Sequence, residues 1–463
     1  MRQDRRSVNG CGNVCVVCRP RVWQCESGRC PFKKRLLITA SQMAEYPERS
    51  MPKQAGSWAD LKATYRFFAN PRVDELAIGL PHREATFAAC VGHQVVLCVQ
   101  DDSDLSSVKI AAEEHLMHHT LAVVPEGKLL GILQQRFFAR VKKQAGETRK
   151  QRAERWRESD IWQESVEAIS DAPEGTRFIH VADRGADNLR FMHACIAKKT
   201  GFVVRAHHDR RVDQDTGKLW QTLEQEPVRK KIQVTIGAQR GNKPRRKREA
   251  TLSVRFKQVQ LEAPWNQHEA HDGPLVVYAV HLVEEEPPQG VEPVDWMLLT
   301  SEEVTSVEQA QRIIAYYQCR WVIEEWHRAI KEGCRLELSQ VESIEVLRRM
   351  TAVLSIVAVR LLELRDLADS TGASESAQEL QRMVPQAWII IVAALAKTQP
   401  QALTPKKFWQ TIAKRGGWLG RKGDGRPGWK AIWTGWHDIA QFVTGAELMA
   451  TARENQNTLT RCG

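Results

Sequence analysis

"VVLCVQDD", Val95 to Asp102, decides how the fold is read. Six apolar or neutral residues without alternation suit a central strand covered on both faces. Two acids follow at once, and an unpaired carboxylate at the rim of a low-dielectric core needs a cationic partner. Taken alone, the segment reads as a strand entering a turn, because Asp and Ser are ordinary turn residues. "FIHVADRGAD", Phe178 to Asp187, repeats the arrangement, with Asp183 at the strand end and Asp187 four residues on. Two core-type strands that each close on Asp point to an α/β core with its site at the strand ends. Magnesium takes oxygen ligands and is commonly held by one or two carboxylates plus substrate phosphates. Asp101 or Asp102 on the first strand and Asp183 on the second are therefore the candidate ligands.

Outward from these strands, the chain divides by pattern. Residues Leu36 to Asn70 are helical, with Asn70-Pro71 as a stop signal. "HTLAVVPEGKLLGILQQRFFAR", from His119, reads as a hairpin turning at Pro125-Glu126-Gly127. Arg149 to Ile169 reads as a charged amphipathic helix, and Leu219 to Thr300 is rich in β-type segments separated by the basic loop "RGNKPRRKREA". After Val307 the pattern is helical, ending in a part marked by Trp418, Trp429, Trp433 and Trp436. The first 35 residues differ from all of this. Cys11, Cys15, Cys18, Cys25 and Cys30 crowd there, five of the 11 cysteines, with one tight C-x2-C knuckle where a zinc site usually has two. The stretch is read as a disordered tail.

A chain of 463 residues calls for more than one unit, and a net charge of +11 favours an anionic partner, nucleic acid first. "AWIIIVAALA" (Ala387 to Ala396) is about half of the ~20 residues a membrane crossing needs. The N-terminus lacks the apolar core of a secretory signal. The expectation is a cytosolic protein whose 11 cysteines stay reduced.

The third charged element is "YYQCRWVIEEWHRAIKEG", Tyr316 to Gly333. As one helix at about 100° per residue, Tyr317, Arg320, Glu324 and Lys331 fall within about 60° of each other. Val322, Ile323, Trp326, Ala329 and Ile330 occupy the opposite side, and Glu325 sits off the polar column. A polar stripe is most often a solvated face. Two strand-end aspartates elsewhere in the chain make a metal-facing Glu324 the stronger reading.

Asp101, Asp183 and Glu324 in that order, with Y-x2-R-x3-E-x6-K at Tyr317, Arg320, Glu324 and Lys331, resemble the DDE transposases of bacterial insertion sequences. The match is to the insertion-sequence-four family, which includes the transposase of transposon five. "YRFFANPRV", "ADRGAD", "FVVRAHH", "DWMLLTS" and "RMTAVLSIVAVRLLELR" agree as well, and the similarity runs from about Lys34 to Met449. The resemblance implies a ribonuclease-H-like catalytic core interrupted by a β-rich insertion, with helical N- and C-terminal regions. It implies cut-and-paste chemistry: Mg²⁺-dependent cleavage at transposon ends and strand transfer to target DNA by a homodimer on double-stranded DNA. Asp101, Asp183 and Glu324 would hold two Mg²⁺ ions, for which Mn²⁺ could substitute. Tyr317, Arg320, Lys331, Arg184 and Arg205 would contact DNA phosphates, and "KPRRKR" (Lys243 to Arg248) the backbone. Trp296 matches a family position that stacks near a flipped base, although a core Trp in a β segment fits equally well.

The expected organisation is a Cys-rich tail (1–35), a helical end-binding region (36–85), the first part of the core (86–190), the insertion (191–305), the last part of the core with its Glu-bearing helix (306–370), and a helical dimerisation region (371–463). Two departures stand out. The family's Asp-Thr-Thr is Asp101-Asp102-Ser103 here, which leaves Asp102 as a rival ligand. The Cys-rich start also replaces an arginine-bearing helical segment that helps bind the transposon end. Two other functions therefore stay open: an impaired derivative that binds or dimerises and inhibits intact copies, and a general metal-dependent nuclease of the same fold.

Overall fold

The computed structural model describes residues 32–105, 114–140, 146, 148, 156–213, 217–236, 247–262, 273–369, 373–421 and 423–461. All five tail cysteines, and Lys243 to Arg246 of the basic loop, lie outside the described residues. Helices α1 (Lys33–Glu45), α2 (Met51–Gln54), α3 (Trp58–Ala69) and α4 (Glu75–Cys90) come first. Strands β1 (Val95–Asp104), β2 (His115–Val123) and β3 (Leu129–Ala139) follow, then α5 (Asp160–Ala168), β4 (Arg177–Ala182), α6 (Leu189–Ala197) and β5 (Gly201–Arg205). Next come β6 (Arg211–Val212), β7 (Gly217–Lys218), α7 (Leu219–Glu224), β8 (Lys230–Ile236), β9 (Arg248–Leu261), β10 (Leu275–Val283) and β11 (Asp295–Thr300). The chain closes through α8 (Val307–Gln318), α9 (Trp321–Arg328), α10 (Ile344–Asp366), α11 (Ala373–Met383), α12 (Gln386–Leu395), α13 (Pro405–Arg415) and α14 (Trp429–Arg461).

The chain forms two compact units, one made of Thr86–Asp104 and Glu113–Glu324, the other of Met1–Ala85, Leu105–Ala112 and Glu325–Gly463. The first holds a single mixed sheet in the order β3-β2-β1-β4-β5-β11-β10-β9-β6-β7, with β8 on β9. The β1–β2–β3 meander is antiparallel, and β4 and β5 run parallel to β1, which is the ribonuclease-H-like arrangement. Strand β11 pairs antiparallel with β5, so the β-rich insertion widens the core sheet from its β5 edge. The expected hairpin forms at Val124–Lys128, where Gly127 adopts φ +86°, a left-handed conformation open to glycine at no steric cost.

One face of this sheet is sealed by α5 and α6. Trp162, Val166, Phe191, Met192 and Cys195 bury against Ala182, Phe202, Val204, Met297 and Leu299. Helix α8 packs on β4 and β5. Among the described residues of the charged helix expected over Arg149–Ile169, Asp160–Ala168 is helical, and Arg157 N donates to the Asp160 carboxylate in the turn before it. Residues 149–155 of that expectation lie outside the described set.

In the other unit, α10 is buried along most of its length, which accounts for the apolar run after Met350. Among the described residues no helix is long and apolar enough to cross a membrane. Arg349 at the start of α10 donates from Nε to Val73 O (2.6 Å) and from Nη1 to Phe68 O (2.8 Å). These bonds satisfy one carbonyl of the last turn of α3, Phe68 O, and one in the segment after it, Val73 O. Through them Arg349 of "RMTAVL" ties α10 to the backbone of "YRFFANPRV". Helices α13 and α14 cross closely: a Cβ on Gly435 would stand 1.8 Å from Ile412 O.

Candidate active site

Strand β1 stays parallel with β4 only as far as Val99, opposite Val181. Beyond that point it is paired by β2 alone, so Asp101 opens where the two central strands separate. Period-two alternation then sends the acid doublet to opposite faces of the sheet. Asp102, on the face of α5, is bonded to His118 Nδ1. His118 Nε2 lies 3.1 Å from Gln100 Oε1, and Gln100 Nε2 donates to His180 Nδ1 at 2.7 Å. Asp101 takes the other face and accepts from Arg320 Nη1 at 3.4 Å. Between the two rival ligands, Asp102 is committed to a buried side-chain chain, and Asp101 is the acid beside Arg320.

Asp183 follows directly on β4. Its Oδ1 accepts from Gly185 N at 2.7 Å and caps the short 3₁₀ turn Arg184–Ala186. Glycine is required at 185: a Cβ there would meet Trp162 Cζ2 at 2.8 Å and Asp183 Oδ1 at 3.1 Å. Asp187, also noted in the sequence, has a structural task. Its carboxylate accepts from His207 N (2.6 Å), His208 N (2.8 Å) and Arg210 Nη1, which pins the turn after β5 to the turn after β4.

The stretch from Tyr316 to Gly333 is not one uniform helix. Helix α8 ends at Gln318, α9 begins at Trp321, and Ala329–Gly333 is a π-helical turn. A wheel at one constant angle therefore fails at both ends. Tyr317 belongs to the helix before the break, and Lys331 sits in the widened turn of the other unit, paired with Glu337 Oε1 at 3.2 Å. On the apolar side, Ile323, Trp326, Ala329 and Ile330 are fully buried, whereas Val322 is half-buried. Arg320 Nη2 donates to Glu324 as well as Nη1 to Asp101, so one guanidinium joins the two acids. Glu325 is occupied within its own unit: it accepts from Arg365, from Trp429 Nε1 at 3.0 Å and from Arg328 at 3.3 Å.

Around this core lie the other candidates of the same unit. Arg205 ends β5, donating to Asp295 O at 2.7 Å, and it interacts with the Tyr317 hydroxyl. Trp296 packs edge-on against Tyr317, with ring centroids 5.2 Å apart. Trp296 is only half-buried, so it is neither a fully buried core residue nor fully open to solvent. Arg184 is exposed on the turn after Asp183.

The electrostatics follow from crowding. Burial, and then the nearby Asp183 carboxylate, push the Asp101 carboxyl up to about 7, against the pull of Arg320. Burial raises the Tyr317 hydroxyl and lowers the Arg205 guanidinium. Among the described residues no three His, Cys, Asp or Glu side chains lie close enough to enclose a metal ion. The donor set nevertheless suits a hard cation: carboxylate oxygens only, one of them disfavoured as an anion, with an arginine supplying the positive charge between two of them.

Sequence reasoning reached Asp101, Asp183, Glu324, Arg320, Tyr317, Arg205 and Trp296, and the structure brings these seven into one neighbourhood. It missed Gln100, His118, Trp162 and His180. The signal was available in "HLMHHT", three histidines within a strand whose apolar members are fully buried.

Comparison with known families agrees along the chain. Residues 32–73 match a transposase DNA-binding family, residues 157–360 a transposase DDE domain, and residues 371–456 the transposase Tn5 dimerisation domain. Among solved structures, the chain is similar to the piggyBac transposase synaptic complex with hairpin DNA, at 7% identity over 84% of this chain and 73% of that one. The TM-score is 0.35, too low to bear on function.

Proposed function

Since the chain belongs to the Tn5-like DDE transposases, metal-dependent enzymes that cut and join DNA, we propose that Asp101, Asp183 and Glu324 hold two Mg²⁺ ions, replaceable by Mn²⁺, at its catalytic centre. The observation that supports this reading is that one guanidinium, Arg320, joins Asp101 to Glu324, while the Asp183 carboxylate lies near enough to Asp101 to raise its pKa. When bound, the ions would supply Lewis acidity to the attacking water or 3′-hydroxyl and to the leaving oxygen.

The chain's own groups do the rest. Arg320 neutralises the acids in the absence of cations and turns its planar donor fork to a phosphate once they are neutralised otherwise. Tyr317 and Arg205 donate to the phosphate oxygens flanking the cut, and their buried setting strengthens those bonds. Arg184 and Lys331 add backbone contacts, Lys331 after release from Glu337. Trp296 offers its open face to a base at the cut, with Tyr317 fixing the ring. The substrates are the double-stranded ends of a mobile element and a target duplex in the bacterial nucleoid, and a homodimer pairs the two ends.

Asp101→Asn, Asp183→Asn and Glu324→Gln should each abolish Mg²⁺-dependent cleavage of an end duplex while a gel shift on that duplex persists. Cleavage that survives all three substitutions would overturn the assignment. Nicking without joining to a target plasmid would point to a general nuclease.

A further inference from the structure

Behind the proposed catalytic face runs a second set of contacts, buried at its centre in Gln100, His118, Trp162 and His180. Asp102, one residue from Asp101, bonds to His118, which is fully buried. The His118 ring packs edge-on against Trp162, with centroids 4.8 Å apart and planes at 85°. Trp162 lies so close to Gly185 that a Cβ there would come within 2.8 Å of Cζ2, and Gly185 N donates to Asp183 at 2.7 Å. A branch through Gln100 reaches His180 on β4, with contacts of 3.1 and 2.7 Å. Every step is direct contact, and the path begins beside one candidate ligand and ends on the other.

The path spans a gap that the sheet leaves open. Ladder bonds join β1 to β4 only up to Val99 and Val181, two residues short of each aspartate. Past that point nothing in the backbone ladder fixes the separation of Asp101 from Asp183. We propose that His118 is a positioning residue: wedged between Asp102 and Trp162, it sets the spacing of the two strand-end aspartates and so the affinity of the site for its divalent cations.

The role rests on the carboxylate assignment above. A cation shared by two ligands is sensitive to their spacing, and loss of the contacts that orient ligands typically costs about 10–100-fold in metal affinity. A residue that only stabilised the fold would lower the amount of active protein and leave the half-saturating metal concentration unchanged.

The test is Mn²⁺ binding to the full chain, followed by electron paramagnetic resonance, beside the Mg²⁺ dependence of end cleavage. His118→Ala is expected to weaken Mn²⁺ binding and to raise the half-saturating Mg²⁺ by about tenfold or more. His118→Asn, which keeps a donor near the Nδ1 position, should recover part of that loss. Trp162→Leu, which leaves the Asp102 bond in place, should shift both readouts in the same direction by a smaller factor. A folded His118→Ala protein with wild-type Mn²⁺ binding and Mg²⁺ response overturns the proposal. Should that variant not fold, unchanged metal responses in both His118→Asn and Trp162→Leu overturn it equally. Asp101→Asn separates the two ideas: wild-type Mn²⁺ binding there would sink the carboxylate assignment itself, whereas loss there with no effect at His118 sinks only the positioning role.

Discussion

Adjacent glutamates on one helix should fail in opposite ways when neutralised. Glu325 accepts from Arg365, from Trp429 Nε1 at 3.0 Å and from Arg328 at 3.3 Å, all within the helical unit. The Arg328 pair is exposed and worth little, about 0–1 kcal/mol. The Trp429 bond to a charged acceptor contributes about 1.5–3 kcal/mol. Glu325 and Arg365 are each about one-fifth exposed, so leaving Arg365 unpaired costs less than the roughly 3–5 kcal/mol of a fully buried charge. These contributions overlap, because Arg365 also lies 4.8 Å from the Trp429 ring centre and keeps that contact after the change. Glu325→Ala should therefore lose about 3 kcal/mol overall. With a urea slope of about 2–3 kcal/mol/M, the midpoint falls by about 1 M. Tryptophan fluorescence during urea unfolding reads this directly, since Trp429 and Trp433 stack in the same region. Glu324→Ala removes a partner of Arg320 at a more open position and should move the midpoint by under about 0.3 M while abolishing cleavage. The opposite pattern, a stable but inactive Glu325→Ala beside an unstable Glu324→Ala, would refute the division of labour.

Three further outcomes are expected. His82 is buried in α4, and burial, followed by the nearby Arg360, holds its pKa at about 3, below the ordinary 6.5. The unfolded chain therefore binds the extra proton first, so stability is full above pH 6.5 and declines as pH falls toward 3. At pH 5.5 this group should cost about 1.4 kcal/mol, and His82→Leu should remove that part of the decline in urea midpoints compared between pH 7.5 and 5.5. Gly185→Ala should lose end cleavage, because the new methyl must displace Trp162 or Asp183, whereas Mn²⁺ binding that matches wild type would speak against the close packing there. Gly435→Ala forces α13 and α14 apart at Ile412 O and should cost at least about 1–3 kcal/mol, read as a lowered thermal midpoint.

What the sequence could disclose depended on how local the physics was. Strands β1 and β4 were legible because an apolar run closing on an acid leaves a carboxylate that burial alone cannot satisfy. The β2–β3 hairpin was legible because Gly127 marks a left-handed turn. Glu324 pairs with Arg320 and Glu325 with Arg365 and Trp429, a difference in partners that the wheel did not supply because it assumed a uniform helix. A break at Cys319 and a π turn at Ala329–Gly333 carry no strong propensity signal, since they are fixed by what the flanking residues pack against. The roles of Asp102 and Asp187 were likewise hidden. Each is defined by a partner far along the chain, His118 in one case and the turn His207 to Arg210 in the other. Nor did any pattern reveal that the insertion strands extend the core sheet through β11 and β5, because register between distant strands is not written in either one.

The doublet in β1 also bears on how the gene can change. A strand has no memory of residue number, only of parity. Deleting one residue between Val95 and Gln100 would carry Asp102 into the place of Asp101 and bring Ser103 opposite His118. The proposed catalytic face would still present a carboxylate, and the buried bond would change from acid–imidazole to hydroxyl–imidazole. A neighbour that serves today as an internal brace is in this sense a spare ligand, held one peptide out of phase.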